Sequence, residues 1–245
     1  MEQFAFFDYN QNFSLFGNQH LIVMLLMVAA SIGLPIFAKR FLNQQQQLFL
    51  LRFMAVTIAV WAVLYVIILA WLGDFNYKTD LPLDICNITA ISLPFLMWNP
   101  KYKYHEVLYF WILAGTLQAI ITPHLFNGFP NFIFFKYWFV HAGLVVFTIY
   151  ATAVFDMRPT IKSLWRAFVA LQGYVIFITI VNLLIGSNYV YVLAKPPTAS
   201  LLDYLGPWPW YLLVCELLCL VLFFLAFLPL RLSRKKTETS ILTEV

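Results

Sequence analysis

Cys86 and His141 are the residue types from which a covalent acyl-transfer centre is made. A thiol becomes a nucleophile when a base takes its proton or a neighbour lowers its pKa, and an imidazole supplies either. Asp84 or Glu216 could orient the imidazole as the third member of a triad does. Asn87, Gln118 or Asn182 could donate to an oxyanion. Each also has a plain reading. A cysteine among apolar residues packs as a small filler, and a histidine or amide there bonds one helix to another. His20, Asp84, His141 and Glu216 could instead meet at a metal. No HxxxH, HExxH or CxxC spacing supports that, so neither metal nor cofactor is expected. Cys215 and Cys219 share a helix face at i,i+4 and read as packing, and three cysteines in apolar runs make no disulfide framework.

The elements that must position these groups follow from composition. Of 245 residues, 62% are hydrophobic and 11% are charged, against roughly a quarter charged in a soluble domain. Mean hydropathy is +0.81. Lipid is the solvent that fits such a chain. Apolar runs cover about 20–38, 53–72, 81–98, 107–122, 133–155, 165–185 and 208–230. Each is long enough to cross a core of about 30 Å at 1.5 Å per residue. The expected fold is all-α, one bundle of seven membrane-spanning helices over residues 1–245, with a disordered polar tail over 235–245.

Charge sets the expected topology. Twelve of the fifteen Lys and Arg fall in alternate connections: Lys39, Arg40 and Arg52; Lys101 and Lys103; Arg158, Lys162 and Arg166; Arg231, Arg234, Lys235 and Lys236. Lys78, Lys136 and Lys195 are left on the other side. The positive-inside rule makes the twelve cytoplasmic, which puts the N-terminus outside and the C-terminus inside. The net charge of +4 therefore serves topology and headgroups, not nucleic acid. Gln44–Gln47 reads as solvated filler in the first cytoplasmic loop. No internal repeat is visible, which weakens an inverted-repeat transporter.

Polar residues in the spans gather toward the outer side. Asp84, Cys86 and Asn87 fall in the first turns of the third span. Gln118 and Thr122 are i,i+4 partners ending the fourth. His141 and Glu216 lie about 12 Å into the fifth and seventh. Gln172, Thr179, Asn182 and Gly186 form one stripe on the sixth, and His20 opens the first. The inner half, apart from Gln172, reads as apolar. A carboxylate at mid-membrane costs about 2.5–3.5 kcal/mol on insertion scales, so a shared pocket is the better reading. Residues 186–211, rich in aromatics and proline, suit a stiff interfacial cap or a lid over that pocket. Lys195 in it could meet a lipid phosphate or rest in the headgroups.

Several stretches together make the chain resemble a known family. They are Phe16-Gly-Asn-Gln-His20, Leu81-Pro-Leu-Asp-Ile-Cys-Asn87, Gly115-Thr-Leu-Gln-Ala119 with Thr122-Pro123, Phe129-Pro130, His141, Asn188-Tyr189, Lys195-Pro196 and Leu202-Asp-Tyr-Leu-Gly-Pro-Trp-Pro-Trp-Tyr211. The chain resembles the YwaF family of bacterial integral membrane proteins, related to the transmembrane protein 164 acyltransferases. That resemblance implies a bacterial plasma-membrane location, membrane lipids as partners, and a lipid acyltransferase or hydrolase with its Cys at Cys86 and its His at His141. The family pattern has His where this chain has Asp84, and Asp after Thr-Pro where it has His124, as if acid and imidazole had changed places. His20, Asn87, Gln118, His124, Gln172, Asn182, Asn188, Lys195 and Glu216 are the expected pocket residues around Cys86, His141 and Asp84. The rival readings are a transporter of a small solute or lipid, and a non-catalytic lipid-binding protein. Oligomeric state is not legible.

Overall fold

The computed structural model describes residues 12–196 and 200–242. Among them the chain forms α1 (Asn18–Phe41), α2 (Gln44–Leu72), α3 (Ile85–Leu96), α4 (Tyr102–Phe110), a π-helical segment (Trp111–Thr116), α5 (Leu117–Ile121), α6 (Phe132–Val154), α7 (Ile161–Ile185) and α8 (Trp210–Leu242). Five are long and apolar enough to cross a membrane: α1, α2, α6, α7 and the Trp210–Leu232 part of α8. The fourth apolar run is built as α4, the π segment and α5 in unbroken succession, about 30 Å of helix.

The third run is helical for only 12 residues, about 18 Å. Pro82 is the reason. It biases Leu81 toward extended backbone, and the chain stays non-helical through Asp84, which is the N-cap with φ −66° and ψ 148°. The α2 boundary moves the other way. Gln44–Gln47 is not loop filler but the first turn of α2. The Asn43 side chain accepts from Gln46 N and the Gln46 side chain from Asn43 N, a complete capping box. Gln47 Nε2 also donates to Ala38 O and Leu42 O, both at 3.1 Å. The tail expected to be disordered begins as a continuation of α8, whose backbone stays helical to Leu242; residues 243–245 lie outside the described ones.

α6 is the central helix. Half of its apolar window is buried, against 17–22% in the other four spans. It packs on α1, α2, α3, α4, α5 and the π segment. Gly143 allows the closest approach, because a Cβ there would stand 2.9 Å from Ile58 Cγ1 of α2. A second core joins α4 and the π segment to α7 and α8 through Tyr109, Phe110, Leu164, Ala167 and Phe223.

At the end of the bundle away from Asn18, the expectation of an apolar half fails. His105 and Glu106 are buried in the first turn of α4. The Glu106 carboxylate accepts from Ser163 Oγ at 2.6 Å and from Arg166 Nη1 at 2.9 Å, tying α4 to α7. The apolar run itself begins at Val107, so hydropathy alone leaves both residues in the preceding loop. Nearby, Arg52 Nε donates to Trp98 O at 2.8 Å and its guanidinium lies 4.8 Å from the Trp98 ring centroid.

Candidate functional site

The stretch before α3 is held in place by two tyrosines. The Tyr174 hydroxyl of α7 donates to Leu83 O. The Tyr189 hydroxyl accepts from Leu81 N and donates to Tyr77 O, both at 2.9 Å. Asp84 follows, exposed and with no side-chain cap bond, so its carboxylate is not spent on the helix end. Cys86, the second residue of α3 and half-buried, sets Sγ 3.5 Å from Thr116 Oγ1. Thr116 is buried and is the last residue of the π segment. Such widened turns within helices recur at functional sites.

α6 brings the other half. His141 Nδ1 lies 2.8 Å from Tyr137 O, and its ring stacks on the Tyr137 ring with centroids 4.1 Å apart. A carbonyl only accepts, so Nδ1 carries the hydrogen and Nε2 of the neutral ring keeps the lone pair. The Tyr137 hydroxyl donates to Ala119 O at 2.6 Å, which fixes the ring that fixes the histidine. Lys136, half-buried, holds its ammonium 5.2 Å from the Tyr65 ring centroid. Its charge acts through space on Asp84, Cys86 and His141. Lys136 is thus the charge common to the start of α3 and to His141 of α6. The thiol and the imidazole do not hydrogen-bond each other: Cys86 bonds Thr116, and His141 bonds Tyr137.

Most of the other expected pocket residues have contacts of their own. His20 is fully buried as a clip: Nδ1 accepts from Phe16 N at 3.0 Å and Nε2 donates to Ile120 O at 2.8 Å. Asn182 is spent on the loop after α7. Its Oδ1 accepts from Ser187 Oγ and Tyr189 N, and its Nδ2 donates to Tyr189 O, at 2.7, 2.8 and 2.9 Å. Asn188 holds the same loop through Leu193 N and Ala194 O. Gln172 Nε2 donates to Glu216 Oε2 at 2.7 Å, a pair between α7 and α8. Gln118 is exposed and bonds Thr122. His124 is exposed against Phe126, and Lys195 lies 5.8 Å from the Tyr211 ring. Asn87, beside Cys86, keeps a buried Oδ1 without a hydrogen-bond partner.

Lys136, Thr116, Tyr137 and Tyr174 were not expected at the site. Lys136 carries a signal, being one of three basic residues that charge alternation leaves on the Cys86 side. Thr116 sits between Gly115 and Gln118 of a quoted motif. The tyrosines carry none. Beside the site, Ile85 and Gly115, chain neighbours of Cys86 and Thr116, help line an apolar cavity of about 230 Å³ that reaches Cys219 and Phe223. All three cysteines are free. Among the described residues no three His, Cys, Asp or Glu come together as metal ligands.

No match to the chain was found among the curated proteins or among the solved structures. The model of the TMEM164 family matches residues 15–227, a stretch that holds every helix described here up to the middle of α8. This multi-pass, apolar, all-helical chain therefore belongs to the TMEM164 family.

Proposed function

We propose that the chain is a membrane-embedded lipid acyltransferase or lipid hydrolase of a bacterial plasma membrane, in the YwaF branch, with Cys86 as nucleophile and His141 as base. In this reading all seven apolar runs span the bilayer, the Asn18 end faces outward and the Arg231 end inward. What supports it is that α3 packs on α6 and that the charge of Lys136, on the same helix as His141, acts on both Cys86 and His141. A thiolate inside an apolar bundle is costly without a cation, and Lys136 is a cation whose charge reaches Cys86.

The reaction balances with the residues present. Cys86 Sγ leaves Thr116 and attacks the ester carbonyl carbon of a lipid, and its proton passes to His141 Nε2. Negative charge moves from sulfur to the carbonyl oxygen within reach of the Lys136 field, where a fixed charge in a dry site is most effective. The ester C–O bond breaks, the alcohol leaves with the proton from His141, and Cys86 holds the acyl group as a thioester. An acceptor hydroxyl or water then attacks that carbonyl, gives its proton to His141, and the C–S bond breaks with the proton returned to sulfur. Asp84, exposed and uncommitted, balances Lys136 and keeps it turned toward the site. The cavity reaching Phe223 takes the first carbons of the acyl chain.

Purified protein in vesicles of a phospholipid with one isotope-labelled acyl chain tests this. Acyl exchange or fatty-acid release is expected from the wild type and is expected to vanish in Cys86→Ala and His141→Ala, with folding intact. A lipid profile unchanged by both substitutions overturns the proposal.

A further inference from the structure

At the end of the bundle away from Asn18, a cleft of about 360 Å³ opens between α3, α4 and α7. Its volume falls within the range of about 300–1,000 Å³ typical of ligand sites. Cys86 meets Thr116 where α3 begins, and a short connection joins the end of α3 to α4, so the two helices run antiparallel. The cleft therefore has two unlike ends. Leu96, Lys103 and Tyr104 stand at its mouth, and Ile88, Trp111 and Tyr174 at its far end. From Lys103 to Trp111 the wall rises about 12 Å, most of the roughly 15 Å of one leaflet of a 30 Å core. Phe177 of α7 also lines it and is 50% exposed, so the cleft opens sideways onto the apolar surface of α7.

The deeper wall offers a guest carbon. The Tyr174 hydroxyl donates to Leu83 O, Trp111 Nε1 to Ala167 O at 3.0 Å, and Ser92 Oγ to Thr89 O at 2.8 Å, so these hydrogens are spent inside the protein. The mouth offers charge. Among the described lining residues Lys103 alone is charged, and it is exposed. Its ammonium lies 4.7 Å from the ring centroid of Tyr104, another wall residue. Among the described side chains, the carboxylates at this end have arginines of their own, Glu106 with Arg166 at 2.9 Å and Asp156 with Arg158 at 2.8 Å. Lys103 stands about 6 Å before Val107, where the apolar run begins. That is the depth of the headgroup layer, about 5–8 Å thick on each side of the core.

We infer that the α3–α4–α7 cleft binds an anionic glycerophospholipid of the leaflet at that end, with its phosphate on Lys103 and one acyl chain along the wall to Trp111. Charge complementarity at the mouth and the carbon wall behind it select this occupant together. A soluble anion pairs with Lys103 but leaves the wall without dispersion contacts. A zwitterionic lipid fills the wall but brings its own ammonium to a mouth that already carries one. An anionic lipid satisfies both ends, and a lysine near an anionic membrane surface contributes attraction of its own. The site does not depend on the Cys86 chemistry.

The test uses the full chain in phosphatidylcholine vesicles doped with phosphatidylglycerol that carries a photoactivatable diazirine in one acyl chain, with cross-linked peptides mapped by mass spectrometry. Cross-links are expected to concentrate in 88–96 and 104–111, and diazirine phosphatidylcholine at the same mole fraction is expected to label them less. Lys103→Gln is expected to cut the phosphatidylglycerol label about fivefold, the ratio produced by the roughly 1 kcal/mol that one lysine contributes at an anionic membrane surface. Lys103→Arg keeps the charge and is expected to keep the label. Lys101→Gln removes the same charge outside the lining and is expected to cost less than Lys103→Gln. Ser92→Phe keeps Lys103, fills the cleft and is expected to lower the label; Lys103→Gln changes an exposed residue and decides the matter where Ser92→Phe fails to fold. Cys86→Ala is expected to leave the label unchanged. Equal labelling by the two lipids, equal losses from Lys101→Gln and Lys103→Gln, displacement of the label by soluble glycerol phosphate, or its loss as copies of the chain associate at high protein density would overturn the inference.

Discussion

Asn182→Leu separates an anchor from a substrate-binding residue. The substitution keeps size and removes every hydrogen bond of a fully buried amide. Tyr189 N and Tyr189 O lose their partners, and Ser187 Oγ loses its acceptor. Each buried group left unpaired costs about 1–3 kcal/mol, which gives about 2–6 kcal/mol for the two backbone groups. Hydrogen bonds between membrane helices average nearer 0.6 kcal/mol each, so about 2 kcal/mol is the conservative figure. For a chain of this size that lowers Tm by about 4–8 °C, read by size-exclusion chromatography of heated protein in detergent. The damage reaches the site, because the Tyr189 hydroxyl holds Leu81 and Tyr77 just before Asp84 and Cys86. Stability and acyl transfer are therefore expected to fall together. Wild-type Tm with activity abolished would refute the anchor reading and return Asn182 to the pocket.

His20→Phe keeps the ring stack but leaves Ile120 O and Phe16 N unpaired; we expect about 1–3 kcal/mol of lost stability and unchanged activity per folded molecule, so a selective activity loss would contradict the clip. Lys136→Met is expected to cut acyl transfer at least about tenfold, the effect of about 1.4 kcal/mol in the barrier, with Lys136→Arg retaining more; equal activity of Met and Arg variants would remove Lys136 from the site. Glu106 and Arg166 should respond unequally. Arg166→Met strands a carboxylate that is 4% exposed and is expected to cost about 2 kcal/mol, between the values for exposed and buried pairs. Glu106→Gln, which keeps an acceptor for Ser163, is expected to cost less, and the reverse order in Tm would contradict the buried lock.

The helices were legible because the bilayer sets the length of an apolar run, and those runs recur as helices. Their ends were not. Asn43-x-x-Gln46 and Thr160-x-x-Ser163 are polar patterns that extend α2 and α7 beyond the hydropathic boundary through capping, whereas Pro82 cuts α3 short. At the site, depth was legible and adjacency was not. Cys86 and His141 stand on helices that meet, but nothing in spacing shows that Thr116 holds the thiol or that the Tyr137 carbonyl sets the imidazole tautomer. Lys136 was read as topology alone, since a basic residue near a span end has that ready explanation. Gln172 and Glu216 looked like members of one pocket and instead satisfy each other, as do Asn182 and the loop after it. Side-chain pairing across helices is a tertiary property that helical periodicity does not encode.

Whether Cys86 carries an acyl group is the most direct question for this account. Protein from phospholipid vesicles, digested and weighed with and without neutral hydroxylamine, answers it. A hydroxylamine-sensitive acyl mass on the Cys86 peptide, absent from His141→Ala, is the predicted result. A peptide that is never acylated, in a protein whose lipid exchange survives Cys86→Ala, would contradict it.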